Sequence, residues 1–298
     1  MKNKVQLVLG SGGARGIAHI AVIEELEKRG YEIIEIVGCS MGAVVGGIYA
    51  AGHLKEYKEW LFSLDRNQVF ELTDFTLKRE GFVKGEKIFA KHREMTGDLN
   101  IEDFKIPFTA VSVDVKSAKE VHFTSGDLYK ALRASVSIPG VFVPVNEANK
   151  MLVDGGVLNP LPINLTHNIK DAIVVAVDLN AAGKPLIKEK KKTKEKTPKW
   201  YDIVVPKNIL ERSQIETKKE EDTMSIFELM ENTFVLTQNR LKELMIQVYP
   251  PDLLIRIPRN TCSTFEFWKA EHVYNTGLKA FEKAIEKSPI IRSERNNG

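Results

Sequence analysis

Two strand-turn-helix units follow one another at the start of the chain, and they restrict the fold more than any other feature. Residues 5–9, VQLVL, predict a buried strand that enters the glycine-rich turn GSGGARG, and the helix after it ends at Gly30. IIEIVG then predicts a second strand, and MGAVVGGIYAAG predicts a second helix made of small residues. Because successive units of this kind place their strands parallel to one another, the sequence predicts an α/β fold with a mainly parallel sheet.

Later segments continue this alternation. Residues 54–96 are predicted to be mainly helical and rich in aromatic side chains, and AIVVAVDL, residues 172–179, is predicted to be a central buried strand. Further strands are predicted at IPFTAVSVDV, KEVHFT, VFVPV, MLVDGG and PDLLIRIP, and further helices at DLYKALRASVS, SIFELMENTFVLTQNRLKELMIQVY and TFEFWKAEHVYNTGLKAFEKAIEKS. The length and the absence of internal repeats predict one main domain.

Composition argues against several classes of protein. No apolar run approaches the roughly 18 residues that a membrane-spanning helix needs, and the first residues lack the pattern of a secretory signal. The only cysteines, Cys39 and Cys262, do not have the spacing of a disulfide framework or a zinc site. We therefore expect a cytoplasmic protein without a bound metal.

One segment is strongly basic. Lys184–Lys199 holds eight lysines against two glutamates, whereas the whole chain has a formal charge of +3. Such a run is typical of a solvated loop, and its charge also fits peripheral contact with anionic lipid head groups at a membrane. We expect no nucleic acid partner, and the sequence does not indicate an oligomeric state.

The second strand-turn-helix unit carries a G-x-S-x-G segment formed by Gly38, Ser40 and Gly42. Between a strand and a helix, this spacing produces a sharp turn that exposes the serine hydroxyl at the end of the strand. The following helix directs its positive N-terminus at this point, where the amide of Met41 could bind an oxyanion. The segment predicts a nucleophilic serine, although its glycines would also be explained by close packing of helix and sheet.

The glycine-rich turn GSGGARG could hold an anion in several ways. A dinucleotide fingerprint starting at Gly10 fails because Arg15 stands where the third glycine is required, and a P-loop would need a terminal Gly-Lys-Ser/Thr. The remaining interpretations are an oxyanion hole, in which glycine amides converge on one point, and a plain tight turn. Arg15 could fix the loop by pairing with a carboxylate, or it could contact an anionic head group.

An activated serine needs a proton acceptor. The chain has six histidines, at positions 19, 53, 92, 122, 167 and 272, and none lies in a recognisable catalytic turn. The segment MLVDGG instead places Asp154 at the end of a short strand, followed by Gly155 and Gly156. Its apolar neighbours would raise the pKa of this carboxylate and make it a plausible base.

Three blocks, in this order, resemble the patatin-like phospholipase family: a glycine loop with Gly12, Gly13, Arg15 and Gly16, a G-x-S-x-G turn at 38–42, and an Asp-Gly-Gly turn at 154–156. The form GSGGARGIAHI, with SVSIPGVFVPV before Asp-Gly-Gly, is most similar to the bacterial and neuropathy-target-esterase-like branch. The resemblance covers roughly residues 5–180. One departure is Ser11, where plant patatins carry the first glycine of the loop.

This resemblance implies a three-layer α/β/α fold and a serine esterase that hydrolyses fatty acyl esters of phospholipids or lysophospholipids without a cofactor. Carried over by motif, Ser40 is the nucleophile and Asp154 the base of a Ser-Asp dyad that forms an acyl-enzyme, and the amides of Gly12 and Gly13 form the oxyanion hole. The supporting residues are Arg15, Gly38, Met41, Gly42, Gly155 and Gly156. The aromatic residues between 57 and 82 are candidates either for an acyl-chain groove or for the core.

We predict a patatin-like catalytic core over residues 1–183, a lysine-rich insertion or flap over 184–222, and a C-terminal helix-strand-helix segment over 223–298 that completes the same domain. Two alternatives stay open. One is a Ser-His-Asp carboxylesterase for small esters, with His167 or His272 as the base. The other is a non-catalytic lipid-binding or regulatory protein on the same scaffold.

Overall fold

The computed structural model describes residues 3–78, 81–187 and 226–288. The strands are β1 (Lys4–Leu9), β2 (Glu32–Cys39), β3 (Phe75–Lys78), β4 (Gly81–Val83), β5 (Phe108–Asp114), β6 (Lys119–Phe123), β7 (Val145–Glu147), β8 (Lys150–Asp154), β9 (Ala172–Ala181) and β10 (Leu253–Pro258). The α-helices are α1 (Ile17–Lys28), α2 (Met41–Ala50), α3 (Leu54–Ser63), α4 (Arg66–Leu72), α5 (Glu86–Thr96), α6 (Leu128–Ser135), α7 (Ile226–Val248) and α8 (Ala270–Lys287).

Most of the strands belong to one mixed sheet. Within the described residues, its eight strands follow the order β10-β9-β1-β2-β5-β8-β7, and β6 pairs with β5 alone. The strands from β10 to β5 pair in parallel, whereas β6 and β8 run antiparallel to β5. The predicted α/β fold with a mainly parallel sheet is therefore confirmed, and the antiparallel strands are gathered on one side of it.

Two layers cover the faces of the sheet. Alternate residues of β1 point to opposite faces, so that Leu7 packs in the large core with α1, α2 and α8, while Val8 packs with Leu161 on the other face. Helix α7 contributes Met245 and Ile246 to this second face. Among the described residues, this second covering layer is formed by α7 and the loop after β8.

Several predicted elements differ from the observed ones. The segment VFVPV, predicted as a strand, is irregular except for an isolated parallel bridge between Phe142 and Val83, and β7 begins only at its last residue, Val145. Pro139 and Pro144 have no amide to donate to a ladder, and Gly140 between them adopts φ 77°. Residues 54–96 form three helices interrupted by the hairpin of β3 and β4, and the closing helix begins at Ala270, after the predicted start at Thr264.

The lysine-rich segment Lys184–Lys199 lies, from residue 188 onward, outside the described residues, as does nearly all of the predicted insertion 184–222. Its contact with a membrane and the division of the chain into three parts stay predictions from sequence. In the parts of the chain that the structure describes, none of the helices has both the length and the apolar character of a membrane-spanning segment.

Candidate active site

Ser40 occupies the single-residue turn between β2 and α2. Its backbone has φ 55° and ψ −124°, a conformation that costs a residue with a side chain about 1–3 kcal/mol and clusters at functional sites. A Cβ atom at Gly42 would overlap the carbonyl oxygen of Leu9. One at Gly38 would lie 2.5 Å from the Cα atom of Ala43. Both glycines are therefore required for the strand and the helix to converge this closely beneath the serine.

Ser135, the last residue of α6, fixes the backbone of Ser40. The Ser40 amide donates a 2.9 Å hydrogen bond to Ser135 Oγ, and the Ser135 hydroxyl donates a 2.6 Å hydrogen bond to the carbonyl oxygen of Val111 on β5. Ser135 is fully buried, so bulk water does not compete for these groups. The strained turn is thereby tied through α6 to the strand beside β2.

Asp154 meets Ser40 because β2 and β8 pair with the same edge of β5. Cys39 pairs with Val111, and Asp154 pairs with Ser112, the next residue along β5. β6 occupies the other edge of β5 over both stretches. β2 and β8 therefore lie end to end and approach each other from opposite directions. The predicted nucleophile, Ser40, follows the last residue of β2, and the predicted base, Asp154, is the last residue of β8.

The Asp154 carboxylate is almost fully buried, with 1% of its surface exposed. Its Oδ1 atom accepts a 2.7 Å hydrogen bond from the amide of Gly156 and lies 3.9 Å from Cys39 Sγ. Its Oδ2 atom is buried and has no hydrogen-bond partner among the described residues. The carboxylate therefore keeps one oxygen available for a proton.

Burial raises the pKa of Asp154 from 3.8 to about 6, although hydrogen bonding from Ser40, Gly156 and Cys39 opposes this shift. The Ser40 hydroxyl is thus close enough to stabilise the charged form of the carboxylate. It does not form a hydrogen bond with Oδ2 in this structure. A carboxylate with a pKa near 6 is still charged at neutral pH and is a stronger base than an ordinary aspartate. This agrees with the basicity that its apolar neighbours predict.

Gly12 and Gly13 line the same cavity as Ser40 and Asp154. The neighbouring amides are all occupied: Gly10 donates to Val177 O at 3.1 Å, Ser11 to Pro160 O at 2.9 Å and Ala14 to Thr264 O at 2.8 Å. No acceptor for the amides of Gly12 and Gly13 is found in the described part of the chain. The loop therefore offers two unpaired backbone donors beside Ser40.

Arg15 holds this glycine loop against the end of β9. Its guanidinium donates to Leu179 O at 3.0 Å, to Cys262 O at 2.8 Å and to Asn180 Oδ1 at 2.9 Å. The Asn180 side chain in turn donates to Ser11 O at 2.8 Å. Arg15 thus fixes the loop, as one of its two predicted roles requires, but it does so through carbonyl and amide oxygens.

Helix α7 covers the open side of the site. Lys242 of α7 is buried, lies 3.0 Å from Asp178 Oδ2 and donates to Asn180 O at 3.1 Å, which anchors the helix beside the glycine loop. Closer to the site, a Cβ atom at Gly156 would overlap the side-chain amide nitrogen of Gln238. Gln238 of α7 therefore packs directly against the second glycine of the Asp-Gly-Gly turn, next to Asp154.

Ser40 lies between two cavities. The larger has a volume of about 640 Å³ and is lined by the glycine loop, Asp154 and α7. The smaller has a volume of about 100 Å³, and its walls are mainly apolar, with Met41, Tyr57 and Trp60 among them. Of the aromatic residues between 57 and 82, Tyr57 and Trp60 therefore line the smaller cavity and Phe82 lines the larger one, whereas the side chain of Phe70 is exposed to solvent.

The structure does not bring either predicted histidine base to Ser40. The His167 side chain forms a hydrogen bond with Glu35 and is 76% exposed. Glu35 lies five residues before Ser40, which corresponds to a distance of about 16 Å along β2. His272 lies on α8 and lines neither cavity. His92 shares the smaller cavity with Ser40, but burial lowers its pKa to about 3, which makes it a weak base.

Sequence reasoning missed three residues at this site. Ser135 lies in the segment SVSIPG, whose similarity to the family was noted, and a serine at a helix end next to such a motif could have been considered. Gln238 and His92 are contributed by α7 and α5, and no local pattern marks them. Among the described residues, no group of His, Cys, Asp or Glu is arranged to hold a metal ion.

A family model described as patatin-like phospholipase matches residues 7–167. This is more than half of the 298 residues. The chain belongs to the patatin-like phospholipase family. The predicted family is thereby confirmed, and with it the wider class of proteins that are generally hydrolases.

Individual relatives add detail on the branch of this family. An uncharacterized NTE family protein of Mycobacterium bovis is 36% identical over 98% of this chain and 94% of its own length. The lysophospholipase NTE1 of Saccharomyces cerevisiae is 28% identical over 92% of this chain, which spans 16% of that protein. The solved structure of VipD from Legionella pneumophila aligns with a TM-score of 0.44 and 13% identity, over 94% of this chain and 67% of that one.

Replacing Ser135 by alanine tests whether this hydroxyl holds the turn at Ser40. The Ser135→Ala variant leaves the buried Ser40 amide without an acceptor, so we expect the free energy of unfolding in urea to fall by about 1–3 kcal/mol. Ser63→Ala, which removes an exposed hydroxyl on α3, is the matched control and should change it by less than about 0.5 kcal/mol. Equal effects of the two changes would contradict the assigned role.

Proposed function

We propose that the protein hydrolyses fatty acyl esters of phospholipids or lysophospholipids through a Ser40–Asp154 dyad and an acyl-enzyme. The observation that carries this proposal is the free Oδ2 atom of the buried Asp154 carboxylate. Asp154 is the last residue of β8, and this strand ends beside the strained turn of Ser40. Burying a charged carboxylate with an unpaired oxygen lowers the stability of the fold. Groups of this kind are found mainly at functional sites. A general base that accepts the proton of a neighbouring hydroxyl is one such function.

The reaction begins with proton transfer from Ser40 Oγ to Asp154 Oδ2 as the oxygen attacks the ester carbonyl carbon. The carbonyl oxygen becomes an oxyanion, which accepts hydrogen bonds from the amides of Gly12 and Gly13. The C–O bond to the alcohol then breaks, and the alcohol leaves with the proton held by Asp154. A water molecule hydrolyses the acyl-enzyme by the same steps in reverse order, which returns the proton to Ser40.

The catalytic contributions of these groups have known magnitudes. Each oxyanion-hole donor typically lowers the barrier by about 3 kcal/mol, so two glycine amides account for a substantial part of a hydrolase's rate enhancement. Positioned acid-base catalysis typically adds about 10²–10⁴-fold. The pKa of about 6 brings Asp154 closer to the pKa of the hydroxyl from which it takes the proton, which supports its use without an intervening histidine.

The character of the cavities supports a lipid substrate. The smaller cavity next to Ser40 has mainly apolar walls and no charged residue among those that line it, which suits the part of a fatty acyl chain that lies next to the ester. The larger cavity is lined by the glycine loop and by polar side chains such as Asn180 and Gln238, which suits the alcohol part of the ester. The name of the S. cerevisiae relative, a lysophospholipase, supports the same class of substrate.

A fluorophosphonate probe tests the proposed nucleophile and base. We expect the probe to label the wild-type protein and not Ser40→Ala. We also expect kcat/KM for a long-chain acyl ester to fall by about 10²–10⁴-fold in Asp154→Asn.

A urea titration is the control for folding. Folding raises the pKa of the Asp154 carboxyl group, so removing its charge should leave Asp154→Asn at least as resistant to urea as the wild type above pH 6. Loss of activity is then not loss of fold.

Two histidine variants decide between the dyad and the alternatives. His167→Ala and His272→Ala should keep kcat/KM within about threefold of the wild type, because neither side chain reaches the cavities next to Ser40. Inactivation by either change in a folded protein would support a Ser-His-Asp carboxylesterase instead. Lipid binding without probe labelling would support a non-catalytic protein.

The pH dependence of kcat/KM tests the assigned base separately. Because the pKa of Asp154 is raised to about 6, the carboxylate is protonated below that pH and cannot accept the serine proton. We therefore expect kcat/KM to fall about tenfold per pH unit below an apparent pKa near 6 and to level off above it. A profile that stays level from pH 7 down to pH 4 would show that Asp154 is not the base.

A further inference from the structure

His92 is a buried polar side chain in the apolar cavity that ends at Ser40. It lies on α5, is 1% exposed and lines the same cavity as Ser40. Neither of its ring nitrogens has a hydrogen-bond partner among the described residues. A buried polar group without a partner lowers stability, so its presence in an otherwise apolar wall requires an explanation.

Three aromatic rings fix the orientation of the His92 imidazole. Tyr57, Trp60 and Phe89 stand at 88°, 89° and 87° to it, with ring centroids 5.2, 5.1 and 5.6 Å away. Edge-to-face contacts hold the ring plane, but an N–H group over an aromatic face recovers only a small part of a hydrogen bond. The imidazole is thus held in place with its hydrogen-bonding capacity largely unused.

The His92 and Tyr57 side chains are both uncharged. Burial lowers the pKa of His92 to about 3, so at neutral pH its ring has one N–H donor and one acceptor nitrogen. The Tyr57 hydroxyl is in the same wall, and burial raises its pKa, so it too is neutral and can both donate and accept. No hydrogen bond to this hydroxyl is found in the described part of the chain.

The charge of the wall restricts what these groups can bind. None of the residues that line the smaller cavity is Lys, Arg, Asp or Glu, so the charge of a phosphate group would not be compensated there. A neutral donor-acceptor pair inside an apolar cavity is instead suited to a hydroxyl or carbonyl group on a mainly hydrocarbon ligand.

We propose that His92 and Tyr57 form a polar subsite for an oxygen atom on the acyl chain, so that the preferred substrates are esters of hydroxy or oxo fatty acids. This inference rests on the proposed function, because it takes the smaller cavity as the place of the acyl chain. An oxygen at the matching carbon satisfies the imidazole and the phenol. An unsubstituted chain leaves both groups unpaired, as they are in this structure, and so lacks the hydrogen bonds that favour binding of the substituted chain.

Matched 4-nitrophenyl esters of one chain length provide the test. One ester is unsubstituted, and the others carry a single hydroxyl at successive carbons. We expect one positional isomer to exceed the unsubstituted ester in kcat/KM by about tenfold. Equal values for all the isomers and the unsubstituted ester would overturn the proposal.

Variants assign the preference to the two side chains. In His92→Leu, and to a smaller extent in Tyr57→Phe, the ratio of kcat/KM between the preferred isomer and the unsubstituted ester should fall toward one, whatever happens to the individual rates. Ile88→Leu is the matched control, because it alters the same wall without removing a polar atom or a ring that contacts His92, and it should keep the ratio. If the ratio is unchanged in both His92→Leu and Tyr57→Phe, the proposal is overturned. If His92→Leu does not fold, the result for Tyr57→Phe alone decides.

A binding measurement separates this inference from the proposed function. Calorimetry on Ser40→Ala with free fatty acids should give a Kd about tenfold lower for the hydroxy acid with the matching position than for the unsubstituted acid. If the wild type hydrolyses no ester but this preference is present, the proposed function fails and the subsite stands. If unsubstituted esters are hydrolysed but the two acids bind equally, the subsite fails and the proposed function stands.

Discussion

The meeting of two strand ends on one edge of β5 is the constraint on which the rest of this structure depends. A parallel strand, β2, and an antiparallel strand, β8, share that edge, and they end opposite the neighbouring residues Val111 and Ser112. Backbone hydrogen bonding therefore brings Ser40 and Asp154 together. Because the hydrogen bonds of a central strand hold both strand ends firmly, no third side chain between Ser40 and Asp154 is needed to connect them.

The glycines around this junction follow from the same constraint. At Gly42, Gly155 and Gly156, an added side chain would overlap atoms of the backbone or of α7. Two strand ends, the glycine loop and a covering helix are crowded around one hydroxyl, and the strained backbone of Ser40 is stable because Ser135 and the surrounding sheet hold it. The same crowding excludes water from Asp154 and raises its pKa.

The sequence predicts those parts of the site that are determined by a few consecutive residues. The α/β fold, the tight turn at Ser40 and the turn at Asp154 each follow from a short segment with a defined physical requirement, such as glycine beside a sharp bend. The antiparallel direction of β8 could not be predicted, because a strand of five residues with an apolar centre fits either direction. Gln238, Ser135 and His92 escaped notice because only the packing of α7, α6 and α5 brings them to the site.

A crystal structure of the protein after reaction with a long-chain fluorophosphonate tests the central claim most directly. The account predicts phosphorus bonded to Ser40 Oγ and a phosphoryl oxygen about 2.7–3.1 Å from the amide nitrogens of both Gly12 and Gly13. It also predicts Asp154 Oδ2 within hydrogen-bond reach of the adduct oxygens, directly or through one water molecule. A phosphoryl oxygen directed away from the glycine loop, or a histidine in the place of Asp154, would contradict it.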